Sequence, residues 1–510
     1  MPKVILLLIA SLLLPLTVSS QDEIVRRGDC IPNFSDGDAT TRGVHQRLPS
    51  IRNQWDPSIV YRQMVILIEF KDSTFSRVNP REDYDRIFNE PGYNEGLGPG
   101  CVADYFREQS GGMFNLQFDV FGPYRIDMMA RVDNPTASTR NYGREQMREA
   151  TKMCLADNPD IDYTRYDWDS DGYVDQVIFI AASLTGNQGA KACYGYIWPN
   201  TSTFSTVTTP DGVKISDYSV SCEMWSNRMS CGIGTICHEY THCFGLPDLY
   251  PTNGSSYSVV DEWDLMDGGN FTNYGWCPPN YTPMEKMLLG WLIPYELMEP
   301  TTISDLKPSA EGGKVYCITH SDNEWLLLEN RQQQGWDLGA PGKGLVIYHA
   351  NYDRSSWSGN TVNNNKSKRR YELVHADNLD YDAWDKIVTS QYAGKQHMNN
   401  NHLSTSPYPL MSDSMTIVNA ELTDSSVPSA RMNKQNLEGN ELLGKPITNI
   451  RMSEDGLISF DFMGGDPDGM LSVKNHHPSV TNRVYNLQGQ QVVLPRKGIY
   501  IIDGKKYINF

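Results

Sequence analysis

The chain has 510 residues, 39% of them hydrophobic and 11% aromatic, and a formal net charge of −18. This length exceeds what one hydrophobic core usually serves, so we expect two or more domains, and the apolar content excludes a disordered protein. The negative charge repels phosphate backbones and anionic lipid surfaces. Nucleic acid is therefore not an expected partner.

The first twenty residues have the pattern of an export signal. Lys3 precedes the apolar run Val4–Val18, and small residues at its end suit cleavage before Gln21. The run is shorter than the roughly twenty residues that span a bilayer, and no other stretch approaches that length. We therefore predict a signal peptide over 1–20, a secreted or cell-surface protein and no transmembrane segment. Residues 21–56 are polar and irregular, and we interpret them as a leader or short pro-segment.

Ten cysteines, an even number, accompany the export signal. In an exported chain they favour disulfide bonds, although sequence alone does not give the pairing. No two of them have the CxxC spacing of a zinc knuckle or a redox motif. They are Cys30, Cys101, Cys154, Cys193, Cys222, Cys231, Cys237, Cys243, Cys277 and Cys317.

The first half of the chain alternates between strand and helix patterns. Met64–Phe70 and Gln176–Ala182 are continuous apolar runs, typical of strands buried on both faces, and Phe114–Val120 alternates as a strand does. The amphipathic patterns of Val102–Gln109 and Arg144–Asp157 predict helices. The order strand, helix, strand, helix, strand indicates an α/β layer.

The pattern of apolar and polar residues changes near residue 296. Short apolar runs such as 314–318 and 344–348 are separated by clusters of Gly, Asn, Asp and Ser, which predicts a β-rich, sandwich-like domain over 296–465. Within it, the Asn-, Ser- and Lys-rich stretch 359–369 is a predicted exposed loop. A short C-terminal β tail over 466–510 follows Gly and Asp residues.

The stretch Thr235–Tyr250, TICHEYTHCFGLPDLY, has the spacing of a metal site. His238 and His242 are four residues apart, so one helix face presents both imidazoles to a single ion. Glu239 lies beside them, placed to take a proton from a water at the open metal position, and zinc suits such a site. Gly245 ends the helix, so that Asp248 can swing back as a third ligand.

Downstream residues complete the predicted site. The run Trp263–Gly269 fits a tight turn that places Met266 beneath the metal without ligating it. Glu262 or Glu285 remains open as the third ligand in place of Asp248. Tyr274 is the predicted transition-state stabiliser, because that role needs a donor opposite the metal. His349, on a predicted strand, is interpreted as a packed core histidine.

HEYTHCFGLPDLY resembles the HExxHxxGxxD motif of the immune inhibitor A-type metallopeptidases, relatives of the metzincins. The resemblance covers roughly residues 60–350, and it is weakest over the Ser202–Val220 loop. It implies a metzincin-like α/β (α+β) catalytic domain over 57–295 and an extracellular zinc-dependent endopeptidase, often with calcium, that acts on proteins or peptides. Cys237 and Cys243 flank the histidines but point away from the metal, so we expect disulfide or core roles for them.

An acidic stretch resembles the first half of a calcium-binding loop, with oxygens at alternating positions and Gly172 at the sharp turn. Position twelve is Ile178 rather than a bidentate glutamate, so the stretch is not an EF-hand. A looser calcium site remains the hypothesis, with a solvated acidic turn as its alternative. The carboxylates are Asp167, Asp169, Asp171 and Asp175.

The two ends of the chain raise further hypotheses. Asp29 and Cys30 are candidates for blocking the metal in a latent form, since a carboxylate or thiolate can occupy the water's position. The tail, RVYNLQGQQV and RKGIYIIDGKK, resembles the sorting tails of Gram-negative type IX secretion substrates, which implies a bacterial secretion apparatus as a partner. The alternative to the peptidase is a surface adhesin or scaffold that binds zinc or calcium and has lost catalysis.

Overall fold

The computed structural model describes residues 55–187, 191–226, 229–255, 257, 259–380, 401–412 and 414–465, and the backbone of four short strands between 484 and 509. The predicted signal peptide, Asp29 and Cys30 lie outside these residues. In the part of the chain that is described, no helix combines the length and apolarity needed to cross a bilayer.

The first half of the chain is built on a six-stranded sheet with the order β2-β1-β3-β5-β4, in which β6 also pairs with β5. Strands β1, β2, β3 and β5 are parallel, and β4 runs antiparallel to β5 at the edge. The strands are β1 Val60–Glu69, β2 Asn115–Arg125, β3 Val177–Leu184, β4 Asn200–Thr208, β5 Lys214–Ser226 and β6 Met229–Ser230.

Helices cover both faces of this sheet, because the residues of β1 point alternately to two separate cores. Val65 and Leu67 face a core that includes the helices 80–89, 102–109 and 234–242. Met64 and Ile66 face a core that includes the helix 144–157. The mixed α/β architecture predicted from the alternating patterns is therefore confirmed. The helices are α1 Pro80–Asn89, α2 Val102–Gln109, α3 Arg144–Asp157, α4 Gly234–His242, α5 Pro283–Leu288, α6 Arg354–Ser358 and α7 Asn401–Ser404.

The segment 202–220, which the sequence predicts to be a loop, lies in a β-hairpin. Residues 209–213 connect β4 and β5, which pair from Asn200 with Val220 to Thr208 with Lys214. The prediction of a loop was wrong because short polar residues such as Ser and Thr fill β4, where the apolar alternation of an ordinary strand is missing.

The second half of the chain is rich in β-structure. One mostly antiparallel sheet has the order β12-β11-β10-β9-β7, and a three-stranded sheet has the order β15-β16-β8. The strands are β7 Tyr295–Glu296, β8 Thr301–Leu306, β9 Tyr316–Ser321, β10 Glu324–Arg331, β11 Gly344–Asn351, β12 Tyr371–Leu373, β13 Leu410–Met411, β14 Ile417–Asn419, β15 Ile447–Met452, β16 Ile458–Phe462, β17 Val484–Asn486, β18 Gln491–Val492, β19 Gly498–Ile502 and β20 Lys505–Asn509.

The five-stranded sheet shares a hydrophobic core with the first half of the chain. Along β10, Trp325 and Leu327 join the core of α2 and α4, while Leu326 and Leu328 join a second core with the three-stranded sheet. Each face of the sheet is therefore buried, one of them against the helices that carry the candidate site.

The disulfides expected from the cysteine count are not found among the described residues. Nine of the ten cysteines lie in the described part of the chain, and eight of these nine are buried. Cys237 and Cys243 belong to the hydrophobic core beside α4, which agrees with the expected core role. Burial raises the pKa of the Cys237 thiol well above its usual value, as expected for a thiol in apolar surroundings.

Candidate metal centre

The two candidate histidines lie on α4, a helix whose nine residues are all buried. The helix can lie this deep because its first residue has no side chain: a Cβ on Gly234 would collide with the carbonyl oxygen of Asn270. The helix ends at His242, and Gly245 then adopts a left-handed conformation with φ of +75°. The amide of Gly245 donates to the carbonyl oxygen of His242 (2.8 Å), which reverses the chain.

This reversal brings Asp248 back to the histidines. Its Oδ1 lies 3.2 Å from Nε2 of His238 and 3.3 Å from Nε2 of His242. All three side chains are almost inaccessible to solvent. In the described part of the chain they form a group of ligand-type atoms that all lie within 4.8 Å of one another.

The other nitrogen of each imidazole is anchored to a backbone carbonyl. Nδ1 of His238 lies 2.8 Å from the carbonyl oxygen of Leu265, and Nδ1 of His242 lies 2.8 Å from that of Leu246. Because these carbonyls require Nδ1 to carry the hydrogen, Nε2 of each neutral ring has a free lone pair. No hydrogen bond satisfies either Nε2 or Oδ1 of Asp248 within the described residues. Two nitrogens and one carboxylate oxygen, buried and convergent, are a donor set that fits zinc.

The electrostatics of the site favour a positive charge between these groups. Burial acts to lower the pKa of His238, but Asp248 and Glu239 outweigh it and raise this pKa to about 9. Burial likewise acts to raise the pKa of Asp248, and the two histidines outweigh it and hold that pKa well below its usual range. A divalent cation supplies the positive charge that this arrangement favours.

Glu239 is buried on the same helix, and it contacts a residue that the sequence did not single out. The hydroxyl of Thr201 on β4 lies 2.5 Å from the carbonyl oxygen of Glu239 and 3.3 Å from its Oε2. A lone threonine on a polar strand gives no local signal of this role. The contact depends on β4 lying beside α4, which only the fold establishes.

The turn around Met266 lies directly under the histidines. Met266 is fully buried, and its carbonyl oxygen accepts a hydrogen bond from the amide of Leu249 (2.8 Å). Leu265, the residue before it, provides the carbonyl that anchors His238. The turn therefore contacts both the helix and the loop that carries Asp248.

The two alternatives for the third ligand lie elsewhere. Glu285 caps α5, where its Oε2 accepts from the amide of Thr282 (2.9 Å), and its carboxyl group contacts Asp264. Glu262 lies in a short 3₁₀ helix, Asp261–Trp263, and is not in the group around the histidines. The geometry brings Asp248 to the histidines, and it does not bring either glutamate there.

Tyr274 and His349 lie in contrasting surroundings. Tyr274 is 49% exposed and lies on a segment with left-handed backbone conformations. His349 is buried on β11 and is bonded to Glu324 (2.7 Å) and Glu372 (3.3 Å). It therefore packs within the β-rich half, in agreement with the interpretation as a core histidine.

A second carboxylate cluster lies in the loop before β3. Ligand atoms of Asp167, Asp169 and Asp175 lie within 4.8 Å of one another. Asp171 lies beside them, but it accepts a hydrogen bond from the amide of Tyr173 (2.9 Å) and does not join the group. Three of the four predicted carboxylates are thus brought together.

The candidate metal centre lies in a segment of the chain that is similar to known proteins. Residues 62–287 match the family model described as "Immune inhibitor A peptidase M6, catalytic domain". Pre-pro-metalloprotease PrtV of Vibrio cholerae is 25% identical over 236 residues, which cover 40% of this chain and 25% of that protein. Immune inhibitor A of Bacillus thuringiensis subsp. alesti is 24% identical over 272 residues, covering 44% of this chain and 38% of that protein.

The chain thus spans about a quarter to two fifths of the length of these curated relatives. The matched segment contains the three candidate ligands and Glu239, together with Thr201 and Met266. The resemblance predicted from the sequence is therefore confirmed: residues 62–287 match the catalytic domain of the immune inhibitor A peptidases.

Proposed function

We propose that this protein is a secreted zinc-dependent endopeptidase, with His238, His242 and Asp248 as the zinc ligands and Glu239 as the general base. The observation that carries the proposal is the convergence of two Nε2 atoms and one carboxylate oxygen, all buried, beside a buried glutamate. A peptidase family match over the same residues supports it. The intact Glu239 disfavours the alternative of a surface adhesin or scaffold that has lost catalysis.

A bound zinc ion would polarise the scissile carbonyl and lower the pKa of a bound water. Glu239 accepts the proton of the attacking water and returns it to the leaving amine. Thr201 contacts both the Glu239 carboxylate and the carbonyl oxygen of the same residue, which limits the freedom of the base. Tyr274, exposed on its loop, is the proposed donor to the developing negative charge on the substrate.

The first prediction separates catalysis from metal binding. Glu239→Gln removes the base but none of the three ligands, so we expect unchanged zinc content and a kcat lower by about 10²–10⁴-fold. Asp248→Ala should lose zinc, whereas Glu285→Ala should retain it. The measurements are metal content by mass spectrometry and hydrolysis of casein and of a peptide library, with and without chelator. A purified, folded wild-type protein that holds no zinc, and gains no hydrolysis when zinc is added, contradicts the proposal.

We further propose that the cluster of Asp167, Asp169 and Asp175 binds calcium. Three carboxylates from one loop supply the hard oxygen ligands that calcium prefers. Calcium that binds only the folded state stabilises it by about 2.7 kcal/mol when the free calcium concentration is about 100 times the Kd. The Tm of the protein should therefore rise when calcium is added.

The calcium prediction is tested by the variant Asp169→Asn, which should lose most of the increase in Tm. Asp160→Asn, an exposed acid outside the cluster, is the matched control and should keep it. An equal increase in both variants, or no bound calcium in the wild type, contradicts the site.

We propose the remaining features on the sequence patterns alone. They are export through the signal peptide 1–20, a leader or pro-segment over 21–56, a sandwich-like domain over 296–465, and delivery by a bacterial secretion apparatus through the tail 466–510. The substrates are proteins or peptides, as the peptidase family match favours.

A further inference from the structure

The β-rich half of the chain contributes a segment to the metal centre. Residues 360–364, here called the asparagine segment, lie between α6 and β12 and outside the matched range 62–287. The sequence predicts an exposed loop over 359–369. The segment is a loop and its residues 365–368 are exposed, but the prediction fails at Asn360 and Asn363. Asn360 is only 9% exposed and Asn363 is fully buried, because both amides bond to the chain that follows α4.

Asn360 holds Asp248 at two points. The amide of Asp248 donates to Oδ1 of Asn360 (2.7 Å), and Nδ2 of Asn360 donates to Oδ2 of Asp248 (2.9 Å). Oδ1 of Asp248 is left to face the two imidazoles, at 3.2 and 3.3 Å. The amide therefore fixes which carboxylate oxygen meets the metal. A neutral donor suits this position, since a second carboxylate would repel Asp248.

The asparagine segment is held against the ligand loop by further hydrogen bonds. Nδ2 of Asn363 donates to the carbonyl oxygen of Leu249 (2.8 Å), and Oδ1 of Asn364 accepts from the amide of Thr252 (2.7 Å). The hydroxyl of Thr252 donates to the carbonyl oxygen of Asn360 (2.6 Å). These contacts leave Asn360 little freedom to move away from Asp248.

We propose that Asn360 is a positioning residue of the metal centre, supplied by the β-rich half, and that it sets the metal affinity by orienting Asp248. The inference rests on the proposed function, in which Asp248 is a zinc ligand. Hydrogen-bond partners of metal ligands contribute roughly 10–100-fold to metal affinity in comparable sites. Asn360 itself does not touch the metal.

The test compares Asn360→Gly with Asn364→Ala in the full chain. Glycine suits position 360 because the backbone there has a left-handed φ of +53°, so the variant removes the amide without adding strain. Asn364→Ala is the matched control, since it removes a bond between the same segment and the same loop but none to Asp248. Zinc affinity is measured by competition with a chelator, the visible spectrum is recorded with Co²⁺ in the site, and Tm is measured for the metal-free proteins.

Asn360→Gly should bind zinc about 10–100-fold more weakly and shift the Co²⁺ spectrum. Asn364→Ala should bind zinc within about threefold of the wild type and leave the spectrum unchanged. Asn360→Asp should also weaken zinc, because it cannot donate to Oδ2 of Asp248.

If Asn360→Gly has the zinc affinity and the Co²⁺ spectrum of the wild type, although Asp248→Ala loses zinc, the inference is overturned. Equal losses in Asn360→Gly and Asn364→Ala, in proportion to Tm, would reduce the role to general stability and would also overturn it. A wild-type protein without zinc would instead overturn the proposed function, so the two failures are distinguishable.

Discussion

At the scale of single residues, two buried acids, Asp264 in the turn around Met266 and Glu285, form a pair in which both pKa values are raised. Asp264 and Glu285 are both buried and contact each other, and Asp264 Oδ1 accepts from the amide of Met266 (2.6 Å). Burial, with the Asp264 charge second, raises the pKa of Glu285 well above its usual value, and burial also raises the pKa of Asp264. The pair therefore favours a protonated form in the folded state.

The prediction from this pair concerns stability against pH. The folded state holds a proton that the unfolded Glu285 releases at about pH 4.3. The contribution of this group to stability is therefore fully present below that pH and is lost as pH rises through the folded pKa. The loss is at most about 1.4 kcal/mol per pH unit for one group. Glu285→Gln keeps the hydrogen-bonding shape without the titration, so its unfolding free energy should fall less between pH 5 and pH 8.

Urea unfolding at several pH values, with chelator present, measures this difference. Glu438→Gln, an exposed acid in the β-rich half, is the control and should follow the wild-type pH dependence. A Glu285→Gln curve parallel to that of the wild type would show that Glu285 is ionised in both the folded and unfolded states.

At the scale of elements, the geometry of the candidate metal centre depends on how α4 ends. The left-handed Gly245 reverses the chain, which places the carbonyl oxygen of Leu246 on Nδ1 of His242 and returns Asp248 to the histidines. In Gly245→Ala this conformation costs roughly 1–2 kcal/mol, since a Cβ disfavours positive φ. We expect that loss of stability together with about tenfold weaker zinc binding, because the strain falls on the loop that carries Asp248, the proposed third ligand.

Gly439→Ala is a matched control for the turn, since Gly439 also has a positive φ (+83°), has open space around its Cα and lies far along the chain. It should lose similar stability and keep the wild-type zinc affinity, both measured by unfolding and chelator competition. Unchanged zinc binding in Gly245→Ala would mean that Asp248 reaches the metal without this turn.

The local periodicity of the sequence predicts several helices and strands of this fold well. It does not predict contacts between segments that are distant along the chain. Helices α2 and α3 span the predicted ranges Val102–Gln109 and Arg144–Asp157. The spacing of the two histidines on α4 could be interpreted from sequence because residues i and i+4 share a helix face. Thr201 and Asn360 had no such signal, since their partners lie 38 and 112 residues away. Polar residues predict exposure on average, and here the asparagines are buried because their amides bond to another segment.

At the scale of the whole molecule, the shared core joins the two halves on either side of residue 296. Trp336 packs edge-on against Tyr105 of α2, with ring centroids 5.1 Å apart, and Asp337 accepts from the amide of Asn280 (3.0 Å) and from its side chain (2.7 Å). Arg331 is fully buried and is paired with Asp337 and Glu329 at the same boundary. Separating the halves would expose this core and leave buried charges without partners.

We therefore predict that residues 55–465 unfold in one cooperative transition and that residues 55–295 alone do not fold. Loss of the β-rich half exposes large side chains, each of which contributes about 1.5–3 kcal/mol when buried. Calorimetry and binding of a hydrophobic dye to the purified fragments would measure this. Leu327→Ala in the longer fragment should cost about 2–5 kcal/mol and lower its single transition, because Leu327 lies in the core that both halves share. Two separate transitions, with only the later one lowered by Leu327→Ala, would show instead that the halves are independent domains. Asn360 would then reach the candidate metal centre from a neighbouring domain that folds on its own.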